Sequence, residues 1–212
     1  MTRSSDSSTS RETGPYLSAL PDSLANMTFL SSYPDAPARL APFLAQWDYT
    51  VDQLRGRLQG LTDEELLWEP APTVWTVRLD ESGQSRPTSS GEWWAPTPDA
   101  EPPRTLAWSM GHLGAGALIR ADWLVGEHEM EQSPPWPLTS EASIEFLFAG
   151  LGAWRSGLDE MEDDDLDTIG RSAYPGGLDP QLPLLDIVWW VNKELLWHAA
   201  EIWYVRDLYA VT

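Results

Sequence analysis

Apolar residues recur at intervals of three and four along four long stretches of the chain, which is the spacing of one face of an α-helix. The first stretch predicts a helix over residues 38–61, with apolar positions at Leu40, Phe43, Leu44, Trp47, Val51, Leu54, Leu58 and Leu61. The others predict helices over residues 103–125, from a cap at Thr139 or Ser140 to residue 161, and over residues 184–209. Four such helices predict an all-α fold, an up-down four-helix bundle with long connections, in a domain over residues 38–212.

Two of the connections between these helices are long: the segment between the first two helices and residues 162–183 before the last one. Thr62 and Glu65 have the spacing of a capping box, so a short helix is expected directly after the first long one. The following segment is rich in Pro, Gly and Ser, and within it only "VWTVRL" favours a short strand. A loop of this length is often functional. The tryptophans in or near loops are expected to fold back onto the domain, because Trp is rarely left in water; they are Trp68, Trp75, Trp93, Trp94 and Trp136.

The chain begins with a segment that differs from the rest in composition. Residues 1–14 are rich in Ser and Thr and nearly free of apolar residues, which predicts a disordered arm. Residues 15–37 contain enough apolar residues to dock on a surface, and we interpret them as a docking segment without assigning its form.

Composition narrows the classes of function. The formal net charge of −20 arises from 33 acidic and 13 basic residues, which disfavours binding to nucleic acids and to anionic membrane surfaces. There is no cysteine, so thiolate metal sites, cysteine nucleophiles and disulfides are excluded. No apolar run approaches the roughly 18 residues of a transmembrane helix, and the first residues lack the apolar core of a signal peptide. The default expectation is a cytoplasmic protein.

The last predicted helix carries three polar residues on one face. Glu194, His198 and Glu201 follow one another at spacings of four and three. Val191 and Val205 flank this group on the same face. A solvated face would be polar along its whole length, so we expect the three side chains to point inward.

His112 lies in the middle of the second predicted helix and can meet this polar group if the two helices pack side by side. Two imidazoles and the Glu194 carboxylate would then form a site for Zn²⁺, Ni²⁺ or Fe²⁺ with open positions for water or substrate. His112, Glu194 and His198 are therefore the candidate metal ligands. The third histidine, His128, is expected in an exposed loop.

Ordinary structural roles could also explain these residues. Glu194 could pair with Lys193 of a neighbouring chain, or with Arg120 or Arg206. His198 could be a hydrogen-bonded core histidine, and His112, beside glycines, could lie at a helix crossing. Spacing alone leaves these alternatives open.

Two segments give the chain a resemblance to a known family. "LAWSMGHL", with a histidine in the second predicted helix, and the closing "NKELLWHAAEIWYVRDLY" resemble the DinB-like four-helix bundles, which include YfiT-like metal hydrolases. "LTDEELLWEPAP" and "VWTVR" are similar to the first connection of that family. The resemblance spans about residues 38–209, and the closing helix is its most specific part.

The resemblance implies a metal site made by one histidine from the second helix and two from the fourth. His112 and His198 take two of these places, while Glu194 occupies the third, where the family has histidine. A carboxylate still coordinates metals, but with a different charge and metal preference. Glu201 is the candidate general base; its alternatives are a fourth ligand or a partner that orients His198.

The residues and the resemblance together leave two kinds of function open. The first is a divalent-metal-dependent enzyme that acts on a small molecule. It would be either a transferase or isomerase that uses a low-molecular-weight thiol, or a hydrolase. The Trp-rich loop over residues 68–98 would cover its site. The second is a non-catalytic bundle, a binding or stress-related protein with a degenerate metal site. In that case the Trp-rich loops would serve packing or the contact within a homodimer.

Overall fold

The computed structural model describes residues 33–88 and 101–212, which form a helical bundle with one small hairpin. Its elements are α1 (Ala41–Arg57), α2 (Asp63–Leu66), β1 (Val77–Leu79), β2 (Ser85–Pro87), α3 (Leu106–Val125), α4 (Ser140–Leu158), two short 3-10 helices (Asp164–Asp167 and Asp179–Gln181) and α5 (Leu184–Tyr209). The four long helices confirm the predicted all-α four-helix bundle. The predicted arm over residues 1–14, most of the docking segment, and Trp93 and Trp94 lie outside the described residues.

Helices α3 and α4 pack closely and run in the same direction. The backbone of Gly114 approaches Gly150 so closely that a Cβ atom on Gly150 would lie 2.0 Å from the Gly114 oxygen. Further along both helices, Gly157 lies beside Leu124. An alternating order would make these helices antiparallel. The segment over residues 126–139 allows the parallel arrangement, because an extended chain spans roughly 3.3–3.6 Å per residue and can return along a helix of this length.

Helix α5 lies between α1 and α3. It runs parallel to α1, because Asn192 near its beginning donates to the Phe43 oxygen at 2.9 Å, while the Trp203 oxygen accepts from Arg57 at 3.3 Å. It runs antiparallel to α3, as the contacts of the candidate site show below. The helices therefore run up, down, down and up, and the alternating up-down order predicted from the sequence is wrong between α3 and α4.

The long helices are somewhat shorter than predicted. Helix α1 begins at Ala41 and ends at Arg57, because turns occupy both flanks of the predicted span. Helix α3 begins at Leu106, capped by the Thr105 side chain, rather than at Pro103. The residues before it are extended because the Trp75 amide donates to the Pro103 oxygen at 2.9 Å and the Thr105 amide donates to the Trp75 oxygen at 2.9 Å. Helix α4 likewise ends at Leu158.

The first connection contains the short strand expected in "VWTVRL" and a second strand that the composition did not predict. β1 pairs with β2 in antiparallel register, with Arg78 opposite Arg86. The hairpin turns at Gly83, whose φ of 79° suits glycine. One half of the predicted capping box is present at α2, since the Thr62 hydroxyl accepts from the Glu65 amide at 3.2 Å, whereas the Glu65 carboxylate accepts from Arg206. The Pro, Gly and Ser content of this segment predicts irregular structure, but the turn at Gly83 stabilises a hairpin.

A single apolar core joins the four long helices. Its largest fully buried side chains include Trp47 and Trp154. Trp136 is buried and Trp75 packs against the core, as expected for the loop tryptophans within the described part of the chain. Among the helices of residues 33–88 and 101–212, none has the length and apolar character needed to cross a membrane.

Candidate metal centre

The polar face of α5 points toward α3, as the flanking apolar residues predicted. Val191, His198 and Val205 are buried, and the Glu194 and Glu201 side chains are 23% and 22% exposed. On α3, Ser109 and His112 are three residues apart and face the same neighbour. Side-by-side packing of α3 and α5 therefore brings the histidines of two helices together.

His112, Glu194 and His198 converge on one point. The Oε2 atom of Glu194 lies 3.4 Å from Nε2 of His112 and 3.5 Å from Nε2 of His198. The two imidazole centroids are 4.7 Å apart. One donor atom from each residue lies within 4.8 Å of the others, so these three residues could hold a metal ion.

Glu201 lies behind His198 and does not belong to this convergent set. Its Oε2 atom accepts from Nδ1 of His198 at 2.8 Å and from the Ser109 hydroxyl at 2.8 Å. Its Oε1 atom accepts from Nη1 of Arg104 at 2.9 Å. Both carboxylate oxygens are thus engaged, and the bond to Nδ1 fixes the orientation of the His198 ring. Such a carboxylate–histidine pair commonly supports a metal-binding imidazole.

Aromatic rings hold His112 in place. The Trp108 ring stacks on the His112 ring with centroids 4.9 Å apart and an angle of 11° between the planes. Trp108 also contacts the edge of Trp136 at 6.0 Å, and Gly111 leaves the space that the Trp136 ring fills. The His112 side chain is 38% accessible, and its accessible surface faces a cavity. His112 is therefore fixed by packing but open to a ligand.

The electrostatic balance of the cluster favours ionised carboxylates. Burial raises the pKa of Glu194, but hydrogen bonds with the two histidines and Lys193 outweigh it and hold that pKa well below its ordinary value. Burial also opposes ionisation of Glu201, yet its bonds with His198 and Arg104 lower its pKa to about 2. Burial lowers the pKa of His112. Burial also acts to lower the pKa of His198, but the two carboxylates outweigh it and raise that pKa.

The donor set fits a divalent cation. When Nδ1 of a neutral His198 donates to Glu201, the lone pair on Nε2 points into the region of the Glu194 oxygen, and two lone pairs face each other. A cation between them removes this repulsion: either a proton on Nε2 or a metal ion. Two imidazoles and one carboxylate are a common ligand set for Zn²⁺ and for Fe²⁺. The residues present thus suit a metal without requiring one.

The structure also decides between the ordinary pairing partners considered for Glu194. Arg120 pairs with Asp179 at 3.1 Å, and Arg206 pairs with Glu65 at 2.6 Å. Lys193 of the same chain reaches Glu194, with Nζ 2.9 Å from Oε1. That contact leaves Oε2, the atom that faces both histidines, outside the ion pair.

Ser109 and Arg104 belong to the site but were not predicted from the sequence, and Lys193 was expected to reach Glu194 only from a neighbouring chain. Ser109 lies one turn before His112 on the same face, so helical spacing could have found it. Arg104 precedes the helix and reaches Glu201 only because the Trp75 bridge fixes its backbone, and no sequence signal marks this. The intrachain contact of Lys193 depends on a side-chain rotamer. His128 lies in an exposed loop, as predicted, and stacks on Trp123 at 5.2 Å.

A cavity of about 520 Å³ opens beside the cluster. His112 and Glu194 form part of its wall, and most of the remaining lining is apolar. Cavities of about 300–1,000 Å³ with a few polar groups are typical of small-molecule sites. The candidate metal ligands therefore lie at the edge of a space large enough for a small organic ligand.

Comparison with family models adds an independent finding. The model of the DinB superfamily matches residues 85–202, more than half of the chain, and this range includes His112, Glu194 and His198. Comparison with curated proteins and with solved structures found no significant match. Fold, cluster and family match agree, and the chain belongs to the DinB superfamily.

Proposed function

We propose that the chain is a divalent-metal-dependent enzyme that acts on a small molecule. The reaction we favour is transfer of a low-molecular-weight thiol or a thiol-dependent isomerisation, and hydrolysis is the other reaction that the same site could serve. The observation that carries the proposal is the convergence of His112, Glu194 and His198 at the edge of a cavity of about 520 Å³. Zn²⁺, Ni²⁺ and Fe²⁺ are the ions that suit these ligands.

Each part of the site has a role in this proposal. A bound cation supplies Lewis acidity, which lowers the pKa of a coordinated thiol or water. His112, Glu194 and His198 bind the ion. The apolar wall of the cavity limits access of water and strengthens electrostatic interactions within it.

We propose that Glu201 positions His198. Its oxygens already accept hydrogen bonds from His198, Ser109 and Arg104, which supports an orienting role. The general base predicted from the sequence would need a carboxylate oxygen within reach of substrate. That role stays a prediction, and a variant at this position, described in the Discussion, separates the two roles.

The first test is elemental analysis of the purified protein beside the His112→Ala and His128→Ala variants. We expect one equivalent of Zn, Ni or Fe in the wild type and in His128→Ala, and its loss in His112→Ala. His128 is the matched control because it is a histidine in an exposed loop. Metal in His112→Ala at wild-type level would contradict the proposed site.

The second test addresses the reaction. The metal-loaded protein is incubated with a panel of low-molecular-weight thiols and an electrophilic haloarene, and in parallel with small esters and amides. Thiol consumption that requires metal and is lost in His198→Ala supports the transferase. Metal-dependent cleavage of an ester or amide without a thiol assigns the hydrolase instead.

The contact between Lys193 and Glu194 favours a second candidate function, a non-catalytic bundle with a degenerate site. The Lys193 ammonium already compensates Glu194 at 2.9 Å, and a protonated His198 would complete a metal-free network. Metal-free purified protein whose melting temperature is unchanged by metal ions and by a chelator would support this candidate.

The homodimer expected as one role of the Trp-rich loops stays a prediction. Light scattering of the purified full chain over a range of concentrations tests it, and a mass that remains that of one chain would contradict it.

A further inference from the structure

The cavity has a polar end away from the candidate metal ligands. Arg120 lies two helical turns after His112 on the same face of α3, and both side chains line the cavity. Gly116 lies between them, and its missing side chain keeps this wall open. The Arg120 guanidinium folds back toward the Gly116 oxygen, with Nη1 at 3.5 Å from it. The guanidinium therefore lies between one and two turns, roughly 6–12 Å along the helix axis, from His112.

A buried acid holds this guanidinium in a fixed orientation. Nε of Arg120 donates to Oδ1 of Asp179 at 3.1 Å, and Nη2 donates to Oδ2 at 3.5 Å. Asp179 is 1% exposed and also accepts from the Ser172 hydroxyl at 2.9 Å. The guanidinium is thus braced from one side.

The braced guanidinium retains donor capacity on its other side. A guanidinium has five N–H groups, and the contacts of Arg120 with Asp179 and Gly116 use three of them. The Tyr174 ring lies 5.3 Å from the Arg120 Cζ atom and also lines the cavity. Within residues 33–88 and 101–212, the Tyr174 hydroxyl makes no hydrogen bond, so it adds a further free donor.

The charges around the cavity disfavour the binding of an anion at the Arg120 end. Asp179 neutralises Arg120, and the cavity wall also contains Asp186. The whole chain carries a formal charge of −20. A carboxylate entering here would lose its hydration without meeting a net positive charge, whereas a neutral oxygen would lose less and could still accept hydrogen bonds.

Most of the cavity wall outside the two polar ends is apolar. It includes Leu113, Ala117, Trp136 and Ile187. A ligand that fills the cavity must therefore have an apolar middle, since polar groups there would be left without hydrogen bonds.

We propose that Arg120 and Tyr174 form a distal subsite that binds an uncharged hydrogen-bond acceptor, such as an amide or ester carbonyl, on a small ligand with an apolar middle. The opposite end of this ligand lies at the His112, Glu194 and His198 cluster. The proposal rests on the proposed metal-dependent function in that the same cavity serves both. It adds the class of ligand: an elongated, neutral, carbonyl-bearing molecule.

The test uses hydroxamic acids as probes, because the hydroxamate group chelates metals and anchors one end. The alkyl spacer is lengthened one methylene at a time, and each length is made with a terminal methyl, primary amide or carboxylate group. Calorimetry gives the affinity of the full-length, zinc-loaded protein for each probe. We expect one spacer length at which the amide probe binds about tenfold more tightly than the methyl probe, the size of a hydrogen bond to a charged group. At that length the amide probe should also bind more tightly than the carboxylate probe.

Two variants remove the subsite. The Arg120→Met/Asp179→Asn double variant removes both charges, so no buried charge is left unpaired. Tyr174→Phe removes only the hydroxyl. We expect the preference for amide over methyl to disappear in the double variant and to fall by about fivefold in Tyr174→Phe, while the affinity for the methyl probe stays the same. If the double variant also binds the methyl probe more weakly, its cavity is disrupted. The amide preference of Tyr174→Phe then tests the subsite.

Other outcomes overturn the proposal. Equal affinity for the amide and methyl probes at every length, tighter binding of the carboxylate, unchanged preference in Tyr174→Phe, or no binding of any probe to protein that elemental analysis shows to contain zinc each rejects the subsite. Failure of the metal site is separate. It would appear as metal-free protein on elemental analysis and as hydroxamate affinity that is equally weak in the wild type and His112→Ala. The ratio of amide to methyl affinity, measured at higher probe concentration, then reports on Arg120 and Tyr174.

Discussion

A buried carboxylate that pairs with α5 and a carboxylate on α5 itself are compensated in different ways. Glu65, from α2, is 6% exposed and receives two hydrogen bonds from Arg206, with Nε at 2.6 Å from Oε1 and Nη2 at 3.0 Å from Oε2. Glu194 instead directs Oε2 toward His112 and His198 at 3.4 and 3.5 Å. The first cluster is closed, because a guanidinium matches a carboxylate in both charge and shape. The second is open to a further cation.

The difference shows how one helix can carry both a structural polar group and a candidate functional one. Arg206 also donates to the Arg57 oxygen, so it ties α5 to the end of α1. His112 and Glu194 reach the cavity, and their donor atoms remain accessible to a ligand. Both carboxylates are largely buried, so burial does not distinguish their roles. The group that compensates the charge of each carboxylate does. Substitutions at Arg206, His198, Glu201 and Lys193 test this distinction.

Replacing Arg206 by leucine should cost the most stability. It leaves the Glu65 carboxylate buried without its partner, which typically lowers the free energy of unfolding by about 3–5 kcal/mol. Urea unfolding followed by circular dichroism measures the change. Metal stoichiometry of the folded fraction should stay at the wild-type value. A loss of metal without a loss of stability would reverse the roles that we assign to the two clusters.

Replacing His198 by alanine should weaken metal binding by more than about 100-fold, because the proposed site uses this histidine as a ligand rather than as an outer partner. Competition with a chromophoric chelator gives the affinity. The free energy of unfolding of the metal-free protein should fall by less than in Arg206→Leu. Wild-type affinity in His198→Ala would exclude this histidine as a ligand.

Replacing Glu201 by glutamine should weaken metal binding by about 10–100-fold, the usual range for a carboxylate that orients a histidine ligand. The amide retains the shape and one acceptor oxygen but loses the charge next to Nδ1 of His198. In the reaction, a purely positioning role predicts that activity recovers at saturating metal. If the variant is fully loaded but inactive, Glu201 is the general base that the sequence predicted.

Replacing Lys193 by methionine should have the smallest effect, a change of about 1 kcal/mol or less in the free energy of unfolding of the metal-loaded protein. The methionine stem preserves packing near Trp197, whose ring lies 4.2 Å from the ammonium. Metal affinity should stay equal or increase, because a competing cation has been removed from Glu194. A large destabilisation instead would show that Lys193, rather than a metal, compensates this carboxylate.

Much of the fold was predictable because it depends on local periodicity. The four long helices were found from spacings of three and four, and the cap at Thr62 from its distance to Glu65. The error at the start of α3 arose from a tertiary contact: Trp75 pairs with the residues around Arg104 and keeps them extended. The hairpin partner strand Ser85–Pro87 was missed because turn geometry outweighs its poor strand composition.

The parallel packing of α3 and α4 could not be read from periodicity, because an apolar face is the same in both directions. Two contacts decide it: Gly114 lies against Gly150 and Leu124 lies against Gly157, in the same order along both helices. Spacing on α5 placed Glu194, His198 and Glu201 on one face, and the sequence favoured the first two as ligands and Glu201 as a base. The structure adds the atoms that are involved: Oε2 of Glu194 faces the two Nε2 atoms, and Oε2 of Glu201 bonds to Nδ1 of His198.

By itself, the sequence determined which residues share a helical face, and hence an all-α bundle with a polar patch inside its last helix. It also limited the chemistry to histidine and carboxylate ligands, because the chain has no cysteine. The tertiary structure alone decided that His112 meets that patch, that Arg104 and Ser109 support Glu201, and that the patch borders a cavity. The cause is the separation of the contacting residues along the chain. Helical spacing is set by hydrogen bonds between residues four positions apart, whereas these side-chain contacts join residues more than eighty positions apart.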